Sequence, residues 1–167
     1  MTKKLSTADL IRKIEKLTKQ RIAGQEVVEL NQFREAQNKI HPTTILVIED
    51  EETQRSSLQR ILESDGYQVK MAADAAQLTS VLDEDIEIHF IIMDVGLPWV
   101  NGFELAQMLK EHRELKHIPL IFLSASAEQD DLQKGRNVGA DDYIKKPFDI
   151  EKLKVRIKEI LASKKSF

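Results

Sequence analysis

The chain has 167 residues, 41% of them hydrophobic and 32% charged, with a formal net charge of −3 and no cysteine. That length fits one domain of ordinary size plus a remainder, and the composition suits a packed core under a wet surface rather than disorder. Disulfide scaffolds, thiolate zinc sites, iron–sulfur clusters and cysteine nucleophiles are excluded, so any metal must sit on oxygen or histidine.

Charge marks a boundary. Residues 1–41 carry nine Lys/Arg and five Asp/Glu, whereas residues 42–167 carry sixteen and twenty-three. The basic charges of the first segment are interspersed with acids and lack clustered aromatics, so they read as a solvated helical face and nucleic-acid binding is not expected. No apolar run approaches the ~18–20 residues of a membrane span, and the Met1-Thr2-Lys3-Lys4 start leads into an amphipathic stretch without a signal-peptide core. The expected compartment is the cytoplasm, with no membrane partner.

From Ser6 the pattern is helical. Ser6-Thr7-Ala8-Asp9 resembles a capping start, and Leu10, Ile14 and Leu17 share a face. Arg21 and Gly24 interrupt that stripe before a second patch of Val27, Val28, Leu30, Phe33 and Ile40. The spacing therefore predicts a 1–41 extension of two helices or one broken helix, stopped at His41-Pro42, and a main domain over 42–167.

Beyond Pro42 strand-like and helix-like periods alternate. Thr44 to Ile48 is a continuous apolar run of the kind found in strands buried on both faces. A helix follows from about Glu52 to Ser64, with Leu58, Ile61 and Leu62 inward and Asp65-Gly66 closing it. The remaining strands are expected at Gln68 to Ala72, Ile88 to Met93, Pro119 to Leu123 and Tyr143 to Lys145. Helices are expected at Asp74 to Asp83, Phe103 to His112, Glu128 to Val138 and Ile150 to Ala162. Five strands alternating with five helices imply right-handed crossovers and a doubly wound parallel α/β sheet, covered by helices on both faces.

Ligands of such a sheet bind beyond the carboxyl ends of its strands. Leaving those ends are Glu49-Asp50 after the first strand, Asp94 after the third, Ser124 after the fourth and Lys146 after the fifth. Three carboxylates beside one lysine repel one another unless a cation sits among them, and oxygen ligands favour Mg²⁺. A metal with a lysine and a hydroxyl on its open side suits a phosphoryl group, with a carboxylate as nucleophile.

Four ordered segments, TTILVIEDEE, MDVGLP with NG three residues on, LSA, and GADDYIKKPF, together resemble the receiver domain of two-component response regulators. The resemblance runs from about Thr43 to Ala162. It implies a flavodoxin-like fold of strand order 2-1-3-4-5 and a phosphoprotein that takes its phosphoryl group from a histidine kinase or phosphotransfer protein. It also places the phosphoacceptor on Asp94, and the metal ligands on Glu49, Asp50, Asp94 and the Gly96 backbone carbonyl. Ser124 and Lys146 take the family's hydroxyl and lysine positions, and Ser124 with Tyr143 its switch.

The sequence departs from the family's commoner pattern by Glu49 in place of the first aspartate of the pair and by Ser124 in place of threonine, both of which keep the oxygen chemistry. Gly96 and Ser126 occupy the two positions that tune dephosphorylation in this family.

The bland alternatives are a turn aspartate at Asp94, helix-dipole partners at Glu49 and Asp50, and a half-buried strand aromatic at Tyr143. His41, His89, His112 and His117 show no ligand spacing, and Trp99 reads as a partly exposed packing residue. Signalling is expected through protein contacts, without an output domain after Phe167. The downstream partner or a second copy would meet the N-terminal helices or the last-helix face around Arg156. Two rivals are an aspartate-nucleophile phosphohydrolase, which would want a general acid where Gly96 stands, and an unphosphorylated docking module.

Overall fold

The computed structural model describes residues 42 to 164, so the expected helical extension over 1–41 lies outside the described residues. Five strands, β1 (Thr44–Ile48), β2 (Gln68–Ala72), β3 (Phe90–Asp94), β4 (Leu120–Ser124) and β5 (Asp142–Lys145), alternate with five helices. The helices are α1 (Glu52–Ser64), α2 (Ala75–Leu82), α3 (Gly102–Glu111), α4 (Gln129–Asn137) and α5 (Ile150–Lys164). All strand pairs are parallel and the order is β2-β1-β3-β4-β5, as the resemblance implied.

Alternation along the strands builds two cores. Leu46, Ile48, Ile91, Met93, Leu120 and Phe122 pack with Leu78 and Val81 of α2 and Phe103, Leu105 and Leu109 of α3. Ile45, Val47, Phe90, Ile92, Ile121 and Leu123 pack on the other side with Leu58 and Leu62 of α1 and Leu153, Ile157 and Ile160 of α5. Because side chains point to opposite faces with period two, a central strand covered on both sides is apolar along its length, and here the polar residues Thr44, Asp94 and Ser124 fall only at strand ends. β1, β3 and β4 are buried throughout, whereas the edge strands β2 and β5 are only partly so.

Two central strands are displaced from their expected bounds. β3 starts at Phe90 rather than Ile88, because the His89 ring enters the ladder: Thr44 N–H donates to His89 Nδ1 at 3.1 Å. At the other end Val95 N–H donates to Leu123 O, which keeps Asp94 inside β3. β4 starts at Leu120, after the Pro119 ring has removed a donor, and includes Ser124, whose carbonyl accepts from Lys146 N–H at 2.7 Å. Asp94 and Ser124 are therefore the last residues of buried strands rather than the first of loops.

The β3–α3 loop is short and tight. Gly102 N–H donates to Val95 O at 3.2 Å, and a Cβ on Gly102 would stand 2.7 Å from Val95 Cα and 2.9 Å from Asp94 O. Both neighbours are backbone, so the loop itself must move to admit a methyl group. Gly102→Ala is expected to lower the unfolding free energy by about 1–3 kcal/mol, the usual cost of overpacking. Urea denaturation with an unchanged midpoint would contradict this account of the loop.

Candidate functional site

β1, β3 and β4 end side by side, and each delivers a polar residue to the same sheet edge. Glu49, directly after β1, is 2% exposed; Asp94 is 8% and Ser124 is 5%. Asp50 is exposed. The capping of α1 is done by Glu51, whose carboxylate accepts from Thr53 N–H at 2.9 Å and Gln54 N–H at 2.8 Å. The side-chain cap bonds thus go to Glu51 rather than to Glu49 or Asp50, and one oxygen from each of Glu49, Asp50 and Asp94 falls within 4.8 Å of the others. Among the described residues no other three His, Asp or Glu side chains converge in this way.

Lys146 crosses to this cluster from the end of β5. Its Nζ lies 2.8 Å from Glu49 Oε2 and 3.1 Å from Asp94 Oδ1. The Lys146–Pro147 bond is cis, and Lys145 beside it is exposed. Burial pushes the Glu49 carboxyl above the ordinary glutamate value, although the lysine opposes the rise. Burial acts downward on Lys146 as well, but Glu49 and Asp94 together outweigh it and hold the ammonium above its usual value.

One lysine stands against three converging carboxylates, and all their donors are oxygen. This set fits a hard divalent cation of the Mg²⁺ kind, which tolerates carboxylate oxygens and keeps waters of its own. Gly96 leaves the adjacent space open: a Cβ there would stand 3.5 Å from Asp94 Oδ2.

Ser124 and Tyr143 are joined through Ser126. Ser124 Oγ accepts from Ser126 N–H at 3.2 Å, and Tyr143 Oη donates to Ser126 O at 3.0 Å. Ser126 Oγ in turn donates to Asp131 Oδ2 on α4 at 2.7 Å. The Tyr143 ring stacks on Phe103 at 6.5 Å and tilts against Phe122 at 6.0 Å, and burial raises its hydroxyl pKa.

Sequence reasoning missed two contacts here. Trp99 is more than a packing residue, since its indole N–H donates to Ala73 O at 3.0 Å and ties the β3–α3 loop to the β2–α2 loop. Arg55 Nη1 donates to the carbonyls of both Glu49 and Asp50. A cation in the first half of α1, where the helix dipole disfavours one, was the available signal for Arg55. The three described histidines stay out of the acidic cluster, and the Nδ1 atoms of His89 and His112 accept from backbone N–H groups.

Without Lys146 the Glu49 carboxylate is left buried with its main compensating charge gone. Lys146→Met is expected to cost about 1–3 kcal/mol in metal-free urea unfolding, and Glu49→Gln in the same background to recover most of it. Since the folded-state pKa of Glu49 lies above its ordinary value of 4.5, its contribution is present below that value and lost as pH rises through the folded one. The stability of wild type relative to Glu49→Gln should therefore fall as pH rises through that range, and a flat difference would contradict the burial argument.

The sequence model of the family described as Response regulator receiver domain matches residues 45–158. Among curated proteins, the Aerobic respiration control protein ArcA of Escherichia coli is 40% identical over 118 residues, covering 71% of this chain and 48% of the relative. The Response regulator SaeR of Staphylococcus aureus is 33% identical over 125 residues, covering 75% and 53%. The chain thus spans about half the length of the curated relatives it matches. Among solved structures, a response regulator receiver domain protein of Methanospirillum hungatei superposes with TM-score 0.66 at 30% identity, over 74% of this chain and 96% of that one. The chemotaxis response regulator CheY4 of Vibrio cholerae gives 0.64 at 27%, over 71% and 98%. With the strand order, the acidic sheet edge and the lysine already in place, this chain belongs to the response regulator receiver domain family.

Proposed function

We propose that the chain is a Mg²⁺-dependent phosphoacceptor of a two-component system, which takes a phosphoryl group on Asp94 from a histidine kinase or phosphotransfer protein. The observation that carries this reading is Lys146 Nζ bonded to both Glu49 and Asp94, with the Asp50 carboxylate within 4.8 Å of theirs. Glu49, Asp50, Asp94 and the Gly96 carbonyl would hold the cation. When bound, Mg²⁺ would neutralise charge on the transferring phosphoryl oxygens.

A carboxylate oxygen of Asp94 attacks phosphorus while the bond to the donor nitrogen breaks, and the donor imidazole keeps the electron pair. The buried edge fixes Asp94 for that attack. Lys146 orients the carboxylate beforehand and then meets the new negative charge, so positioning and electrostatics supply the catalysis. No residue of this chain turns over a separate substrate in this scheme, and Gly96 offers no general acid for a phosphohydrolase.

Phosphorylation is then read through Ser124. Drawing its hydroxyl toward the phosphoryl oxygens breaks the Ser126 N–H contact, which loosens the loop that Tyr143 holds from the other side. The surface formed by α4, β5 and α5 changes as a result, and a protein partner or a second copy would recognise it. Among the described residues no helix is long and apolar enough to cross a membrane.

Intact-protein mass after incubation with acetyl phosphate tests the reading without a partner. One added phosphoryl group is expected in wild type with Mg²⁺, and none in Asp94→Asn or without the metal. No gain in wild type would remove the phosphoacceptor function and leave docking alone.

A further inference from the structure

We propose that Arg55 is a positioning residue for the divalent cation, acting through the backbone of the acidic pair; this deepens the phosphoacceptor reading and rests on it. Adjacent residues of a continuing strand send their side chains to opposite faces. Glu49 and Asp50 are adjacent, yet their carboxylate oxygens lie within 4.8 Å of each other. The chain must therefore turn between them, and something must fix that turn.

The local hydrogen bonds show what does. Glu49 N–H continues the sheet by donating to Ala72 O at 3.1 Å, and Glu51 N–H donates to Glu49 Oε1 at 3.2 Å. The carbonyls of Glu49 and Asp50 both turn to Arg55 Nη1, at 3.0 and 2.9 Å. The Arg55 backbone is held in the first turn of α1, where its N–H donates to Glu51 O at 2.9 Å. One guanidinium nitrogen uses its two hydrogens on two successive carbonyls, and so locks the connection that aims both carboxylates at Asp94.

The arginine bonds to the backbone of the acidic pair at the Glu49 and Asp50 carbonyls. Its charge by itself opposes a nearby cation, so simple electrostatics predicts that removing it tightens metal binding, whereas loss of positioning predicts weaker binding. Partners that orient metal ligands are typically worth 10–100-fold in affinity. The two effects have opposite signs, which makes the experiment decisive.

Mg²⁺ is titrated into wild type, Arg55→Gln and Arg55→Met while the amide resonances of Asp50 and Gly96 are followed by NMR, and circular dichroism checks the fold. Both variants should bind Mg²⁺ about tenfold more weakly. Their phosphorylation rate from acetyl phosphate should fall much less at saturating Mg²⁺ than at limiting Mg²⁺. Unchanged or tighter binding in a folded variant overturns the proposal, and so does failure of both variants to fold, which would make Arg55 a structural residue. A wild type that binds no Mg²⁺ overturns the phosphoacceptor reading and this inference together, whereas normal wild-type binding with unchanged variants overturns this inference alone.

Discussion

Like charges gathered at the end of a buried sheet are the constraint on which this molecule is organised. Glu49 and Asp94 are almost wholly out of water, Asp50 stands beside them, and a single ammonium, that of Lys146, bonds to two of the three. Burial and the neighbouring Asp94 charge oppose ionisation of Glu49. The fold tolerates the cluster because β1, β3 and β4 are apolar between their ends, so the two cores bear the local cost. The donors gathered there are all oxygen, the set that suits a hard divalent cation.

The hydrogen bonds around the edge fall into two groups. On the β1 and β3 side, Arg55 secures the carbonyls of the acidic pair, and Trp99 ties the β3–α3 loop to Ala73. On the β4 and β5 side, Ser124, Ser126, Asp131 and Tyr143 form a chain of hydroxyl and carbonyl contacts that reaches α4. Loops that bind ligand or change shape are drawn from the less buried parts of a fold. The grouping matches the chemistry proposed for each side, with carboxylates where charge would be held and a short polar chain where a signal would leave.

Family membership and function separate at this point. The match to receiver domains covers residues 45–158, and structural neighbours share the sheet over nearly their whole length. The curated relatives are about twice as long as the matched region, so their complete activities belong to them. A shared fold fixes neither the chemistry nor the partner by itself.

The sequence by itself determined the element order, because strands buried on both faces must be continuously apolar and the helices between them must carry an apolar stripe. Thr44 to Ile48 and Gln68 to Ala72 fall where the periodicity put them, and the acidic residues and the lysine that the sequence set apart converge at one sheet edge. What only the tertiary structure decided lies at the strand ends. Ladder bonds from residues distant in sequence keep Asp94 and Ser124 inside their strands, and the His89 ring displaces the start of β3. The same holds for Arg55, whose partners are close in the chain but face it only after α1 has folded back over the end of β1. Periodicity reports which face a residue occupies. It carries no information on where a carbonyl points once the strand has ended, and that direction sets the geometry of the acidic pair.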